Sequence, residues 1–140
     1  MEDVQVYVLG NALKPYFIKK KALTRWIKKV AHLHRCRVGP INIIFCTDEE
    51  LREINLKYLN KSYYTDIITF DYSQNPMISG DLFISTDRVK DNAKQLNESY
   101  YREMHRVIIH GILHLIGFKD KSKKEQLLMR KAEDNALSHL

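Results

Sequence analysis

No stretch of this 140-residue chain stays apolar for the roughly 20 residues a helix needs to cross a bilayer, so no membrane span is expected. Cysteine is scarce as well. Cys36 and Cys46 form no CxxC pair, and two thiols in this length do not make a disulfide framework. They read as buried hydrophobes, reduced, in a cytoplasmic protein. The opening residues MEDVQVYVLG begin acidic and lack a basic leader region, so no secretory signal is expected. Internal repeats, low-complexity tracts and linkers are missing too. A charged fraction of 29% and a hydrophobic fraction of 44% suit an ordinary globule rather than a disordered or fibrous chain. The simplest organisation is one domain over 1–140, long enough to bury roughly 68% of its unfolded surface.

Acidic residues are outnumbered, 17 against 23 Lys and Arg, for a formal net charge of +6. Such an excess favours polyanionic partners, because neutralising phosphates releases counterions; solubility is the plainer explanation of the total. Lys14, Lys19, Lys20, Lys21, Arg25, Lys28 and Lys29 crowd the first third. A second cluster, Lys119, Lys121, Lys123 and Lys124, adjoins a histidine-bearing segment discussed below.

Periodicity supplies the elements. VQVYVL (4–9) alternates as a short strand. After Pro15, Phe17, Leu23, Trp26, Ile27, Val30 and His34 recur at helical spacing, predicting an amphipathic helix that ends near RVGP. INIIFCT (41–47) reads as a buried strand leading into a helix capped by Thr47 and Glu50, with Leu51, Ile54 and Tyr58 inward. TDIITFDYS (65–73) and DLFISTD (81–87) are expected to pair as a hairpin around a turn at QNPMISG. Helices over about 87–97 and 99–116 follow, with Gly117 as the stop. Ser122 and Glu125 open a last helix whose inner face is read as Leu127, Leu128, Met129, Ala132 and Leu137. The sum is an α+β fold, a small mixed sheet of about four strands packed with about five helices.

His110 and His114 stand four apart in the apolar run HRVIIHGILHLIG, one helical turn from each other on one face. Two imidazoles so placed can chelate one divalent ion, and zinc suits nitrogen ligands. Six residues after His114, past the glycine, Asp120 offers an oxygen. Three protein ligands leave a fourth position for water, the mark of a catalytic site. His110 and His114 are therefore assigned catalytic roles through that water, with no separate base. His105 lies about 140° around the helix from His110 and should not share the ion. His32, His34 and His139 have no partner at ligand spacing. Trp26 reads as core, and Glu133 and Asp134 as solvating the last helix.

HGILHLIGFKD (110–120) resembles the signature HGxLHLxGYDH of the YbeY family, bacterial metal-dependent endoribonucleases that act in ribosomal RNA maturation. INLKYLNKSYYTDIITFDY is similar to the family's LNxxYRxxDxPTDVLSF, GDLFISTDRV looks like its GDIxIS stretch, and Glu125, Met129 and Glu133 match the spacing of its terminal helix. The resemblance covers about residue 40 to the end. It implies a zincin-like metal-binding helix and one divalent ion, zinc by preference. It also implies single-strand-specific cleavage in the maturation of small-subunit ribosomal RNA at its 3′ end, with ribosome quality control, ribosomal RNA and ribosomal proteins as the setting. The family's third histidine falls on Asp120 and its arginine on Leu59. A carboxylate lowers the charge of the site and should acidify a bound water less. Leucine clamps no phosphate, and Lys57 or Lys61 is the available substitute.

On this reading the basic residues at 119–124 hold phosphates, and Tyr63, Tyr64 and Tyr72 are candidates to stack bases. Phe70 and Phe118 are read as sheet and core packing, and Thr65–Asp66 as positioning the strand or capping a loop. Two rivals stand beside it. A zinc peptidase uses HExxH, whose glutamate is the base, but here that place holds Gly111; a base would have to come from Glu103 or Asp66. A non-catalytic, RNA-binding ribosome assembly factor would use the metal only as a staple.

Overall fold

The computed structural model describes residues 3–140, so the acidic opening Met1–Glu2 lies outside the described residues. β1 (Val4–Val8) leads through α1 (Lys20–Leu33) to β2 (Arg37–Cys46), followed by α2 (Asp48–Leu59), β3 (Ile67–Asp71) and β4 (Met77–Ser85). Then come α3 (Thr86–Gln95), α4 (Tyr100–Ile116) and α5 (Lys123–Leu137). The sheet runs β1-β2-β4-β3: the first three strands are parallel, and β3 closes one edge antiparallel to β4. The β3–β4 hairpin and the mixed α+β architecture match the sequence reading. Among the described residues, no helix is long and apolar enough to cross a membrane.

Several boundaries moved for local reasons. α1 begins only at Lys20, because Phe17 and Ile18 pack inward from a turn in which the Ile18 N–H bonds the Pro15 carbonyl at 3.0 Å. α1 ends at Leu33, just before RVGP as expected, but RVGP itself opens β2: the Arg37 N–H reaches the Pro76 carbonyl at 2.9 Å, and the ladder slips a register between Val38 and Ile41. Pro40 has no N–H to give the ladder, which makes that place suited to a bulge. Met77–Gly80 belong to β4 rather than to the turn, which tightens to Gln74–Met77. Thr86 and Asp87 leave the strand because the Ser85 hydroxyl accepts the Arg88 N–H and caps α3.

The last helix shows the largest revision. Met129, Ala132, Glu133, Ala136 and Leu137 form its buried stripe, a regular three-four spacing, whereas Leu127 and Leu128 fall outside it and are exposed. In α2 the inward residues are Leu51 and Asn55, with Ile54 partly buried and Tyr58 exposed. Trp26 is core, as expected, and its indole N–H donates to the Ala136 carbonyl at 2.9 Å, tying α1 to α5. Cys46 is buried, and burial pushes its thiol up to about 12; Cys36 is half-buried.

α4 is the central element. Ten of its 17 residues are buried, among them Met104, Val107, Ile108, Ile112 and Leu113. Gly111 is where it meets the sheet: a Cβ there would lie 2.5 Å from Leu82 Cδ2 and 2.8 Å from Ile67 Cδ1. That contact fixes the height of the helix above β3 and β4. It also rules out a peptidase glutamate at 111, which would be driven into buried Leu82. Gly111→Val is expected to overpack the contact and lower stability by about 1–3 kcal/mol. Urea unfolding should show a lower midpoint at unchanged slope; unchanged stability would mean that helix and sheet are not in contact at this point.

Candidate metal centre

The site is assembled where α4 stops. Ser99 caps its start, accepting the Arg102 N–H at 3.0 Å, and Gly117, at φ 125°, ends it. A side chain at that φ would be strained, so glycine lets the chain fold straight back over the last turn. The Phe118 carbonyl then lies over His114 and Asp120 comes beside both imidazoles. The capping box of Ser122 and Glu125 next starts α5, which runs back along α4 and brings Glu133 to His110.

His110 Nε2 and His114 Nε2 are 3.1 Å apart, and Asp120 Oδ2 lies 3.2 Å from the first and 3.3 Å from the second. Ligands at about 2.0–2.1 Å around a tetrahedral ion are separated by about 3.3–3.4 Å, so this triangle has nearly the span of one face of such a shell. The outward nitrogens explain its orientation. His114 Nδ1 faces the Phe118 carbonyl at 3.0 Å, and a carbonyl only accepts, so this nitrogen carries the proton. His110 Nδ1 likewise donates to Glu133 Oε2 at 2.7 Å. In the neutral rings both Nε2 lone pairs then point, with the carboxylate, at one spot. Such a convergence is relieved either by a proton on one Nε2 or by a metal cation between them, and ligating histidines are held by outer carboxylates and carbonyls in this way. Two imidazoles and a carboxylate are a donor set suited to zinc.

Charges behind the site are paired. Glu133 is only 5% exposed, and Arg106 Nη1 reaches its Oε1 at 3.3 Å while Arg106 Nε reaches Glu103 Oε1, also at 3.3 Å. Burial raises the Glu103 carboxyl above its usual range, against the pull of Arg106. Burial disfavours charge on His110, but the hydrogen bond and charge of Glu133, with Asp120 and Asp66 behind them, outweigh it and hold its pKa above the ordinary value. Asp66 is raised by burial, with the charge of His110 and the nearby backbone N–H groups opposing.

The three residues singled out from sequence are thus brought together: His110, His114 and Asp120 are the group of donors, among the described residues, close enough to share one ion. Asp66 lines the same cleft without joining the set, and Glu103 is held away from it by Arg106, so of the two peptidase bases only Asp66 reaches the site. His105 points away into Phe17, Trp26 and Tyr101. Glu133 does not solvate α5 but is buried against His110. Its signal was present in the sequence: it lies four residues after Met129 and four before Leu137, an acid on an apolar stripe.

Two clefts meet at the triad. One, of about 710 Å³, is walled by Leu59, Lys61, Tyr63, Asp66 and Lys121; the other, of about 560 Å³, by Lys123, Leu127, Arg130 and Glu133. His110 and Asp120 border both. Lys57 lies elsewhere, over the Tyr58 ring and beside Gly10 and Glu50. Of the aromatics, Tyr63 lines the larger cleft, Tyr64 is held by Glu49 with Arg52 and Arg88 over its ring, and Phe70 and Phe118 are partly buried as expected. In nitrogen-resolved NMR at a pH where the rings are neutral, His110 and His114 are expected as their Nδ1–H tautomers. An Nε2–H tautomer at either ring would contradict the geometry.

The family described as Endoribonuclease YbeY matches residues 11–140. Curated proteins named Endoribonuclease YbeY are 56% identical in Phocaeicola vulgatus and 54% identical in Bacteroides thetaiotaomicron, in both cases over 86% of this chain and 88% of the relative. The Porphyromonas gingivalis protein of the same name is 45% identical over 98% of this chain and 89% of its own. The solution structure of TM1509 from Thermotoga maritima superposes with a TM-score of 0.69 at 21% identity, covering 97% of this chain and 87% of that one, and so shares the fold. With relatives more than half identical and a match that begins before α1 and runs to the last residue, this chain belongs to the Endoribonuclease YbeY family.

Proposed function

We propose that this chain is a divalent-metal-dependent endoribonuclease that cuts single-stranded RNA, with His110, His114 and Asp120 as its ligands and zinc as its ion. Membership of a family named for endoribonuclease activity supports the reaction class. The observation that carries the metal site is the meeting of two outward-tied imidazoles and a carboxylate at one point, bordered by two clefts. A strand running from one cleft to the other would cross the triad, as internal cleavage requires. Ribosomal RNA of the small subunit is the substrate proposed, with ribosomal proteins as neighbours and the cytoplasm as the setting.

A bound ion supplies Lewis acidity and offsets charge developing on the phosphoryl oxygens. The chain's own residues do the rest. Glu133 and the Phe118 carbonyl keep both rings in one tautomer and one orientation. Arg106 neutralises the two carboxylates behind them. Lys121 on one flank, with Lys123 and Arg130 on the other, provides cations for the phosphates of a strand lying in the groove.

Metal content and cleavage of a single-stranded RNA, measured side by side, test this reading. Wild type is expected to hold one equivalent of metal and to lose cleavage to a chelator. His114→Ala and Asp120→Ala should each lose metal affinity by at least about 100-fold, since removing even an outer partner of a ligand costs about 10–100-fold. Both should remain folded, bind RNA and fail to cut. If folding and RNA binding collapse together with the metal, the ion is a structural staple and the enzyme reading fails. Asp120→His should keep the metal; an emptied site would mean that position 120 is not a ligand.

A further inference from the structure

The larger cleft carries a pair of side chains that the metal centre does not use. α2 ends at Asn60 in the left-handed conformation, φ 54°, which turns the following residues back toward the triad. Asn55, 2% exposed, clamps that turn at both ends: its backbone carbonyl accepts the Lys61 N–H at 3.2 Å, and its side-chain amide donates to the Tyr63 carbonyl at 3.0 Å. A buried asparagine thereby holds two exposed side chains in register. The Lys61 ammonium lies 5.8 Å from the centroid of the Tyr63 ring, which is 56% exposed, and both line the cleft with His110, His114 and Asp120.

The charges around them narrow the choice of ligand. Lys61 and Lys121 are the cations of this cleft, and among the described residues Lys61 makes no ion pair. Of the cleft's carboxylates, Asp120 belongs to the triad, Asp71 accepts the Ser73 N–H at 2.9 Å, and Asp66 lies within reach of the His110 charge. An ammonium that lies over one face of an exposed aromatic ring and makes no ion pair among the described residues suits a ligand with an anion and a flat π-face a short distance apart, the base taking the face the ammonium leaves open, which describes one nucleotide of a single strand. A duplex keeps its bases stacked on each other and offers no free face to the ring.

We infer that Lys61 and Tyr63 form a nucleotide subsite on the α2 side of the metal centre, the ammonium taking a phosphate neighbouring the scissile one and the phenol ring stacking an unpaired base. The inference rests on the RNA-cleaving reading above and adds which flank holds the strand, by which residues, and why a single strand is preferred. Lys61 and Tyr63 act as positioning residues.

The test is equilibrium binding of the metal-loaded protein to a fluorescent 2′-O-methyl oligoribonucleotide across a salt series, for wild type, Lys61→Met, Lys61→Arg, Tyr63→Leu and Tyr63→Trp. A single-strand phosphate contact contributes about 0.7 to the slope of log affinity against log salt, so Lys61→Met should lower the slope by about that amount and Lys61→Arg should restore it. Tyr63→Leu should raise Kd on the order of tenfold at unchanged slope, and Tyr63→Trp should bind at least as tightly as wild type, because stacking needs only a π-face. Metal content should equal that of wild type throughout. If Tyr63→Leu melts early, the tryptophan variant decides, and weakened binding there overturns the base-stacking role. If wild type cuts and binds RNA while Lys61→Met keeps its slope or Tyr63→Leu its affinity, the subsite is wrong and the nuclease reading stands. If wild type neither binds nor cuts RNA, both fall.

Discussion

A helix with ten of its 17 residues buried has little surface left for polar side chains, and α4 places its two site histidines on one narrow strip at its C-terminal end. The strip cannot move. Gly111 lets the backbone down onto Leu82 and Ile67, and any roll or shift of the helix would open voids among Ile108, Ile112 and Leu113, where each lost large side chain costs about 2–5 kcal/mol. His110 and His114 therefore stand on rigid scaffold, and only Asp120, beyond the glycine turn, comes from a loop. This suits a site in which two imidazoles must meet one ion within a few tenths of an ångström.

The polar network around α4 joins stability to site geometry. Glu133 is buried with His110 on one oxygen and Arg106 on the other, and Arg106 also holds Glu103. Removing one partner from a buried charge pair costs about 3–5 kcal/mol, because it strands the other. The same network keeps His110 Nε2 free to face Asp120. Part of the folding free energy of the α4–α5 contact thus orients the His110 ring, and the orientation does not depend on any exposed salt bridge.

Much of this was legible in the sequence where the physics is local. The capping boxes of α2 and α5 are formed by Thr47 with Glu50 and Ser122 with Glu125, three residues apart. The meeting of His110 and His114 follows from one helical turn, and the arrival of Asp120 from a glycine stop. What escaped depends on contacts distant in sequence. Glu133 reaches His110 across 23 positions, and only the packing of α5 on α4 reveals it. Leu127 and Leu128 look like core by composition, yet the stripe that faces α4 starts at Met129. RVGP has the composition of a helix stop and becomes strand because β4 lies alongside it. The choice between Lys57 and Lys61 rested on the left-handed Asn60, which turns one lysine into the cleft and leaves the other outside it.

X-ray absorption at the metal edge of the purified, loaded protein tests the central claim most directly, because it reads the ligands themselves. Two imidazole nitrogens and oxygen donors at about 2.0–2.1 Å, with no sulfur, are predicted. A spectrum with a thiolate at about 2.3 Å, or with fewer than two imidazoles, would contradict the convergence of His110, His114 and Asp120 on one ion.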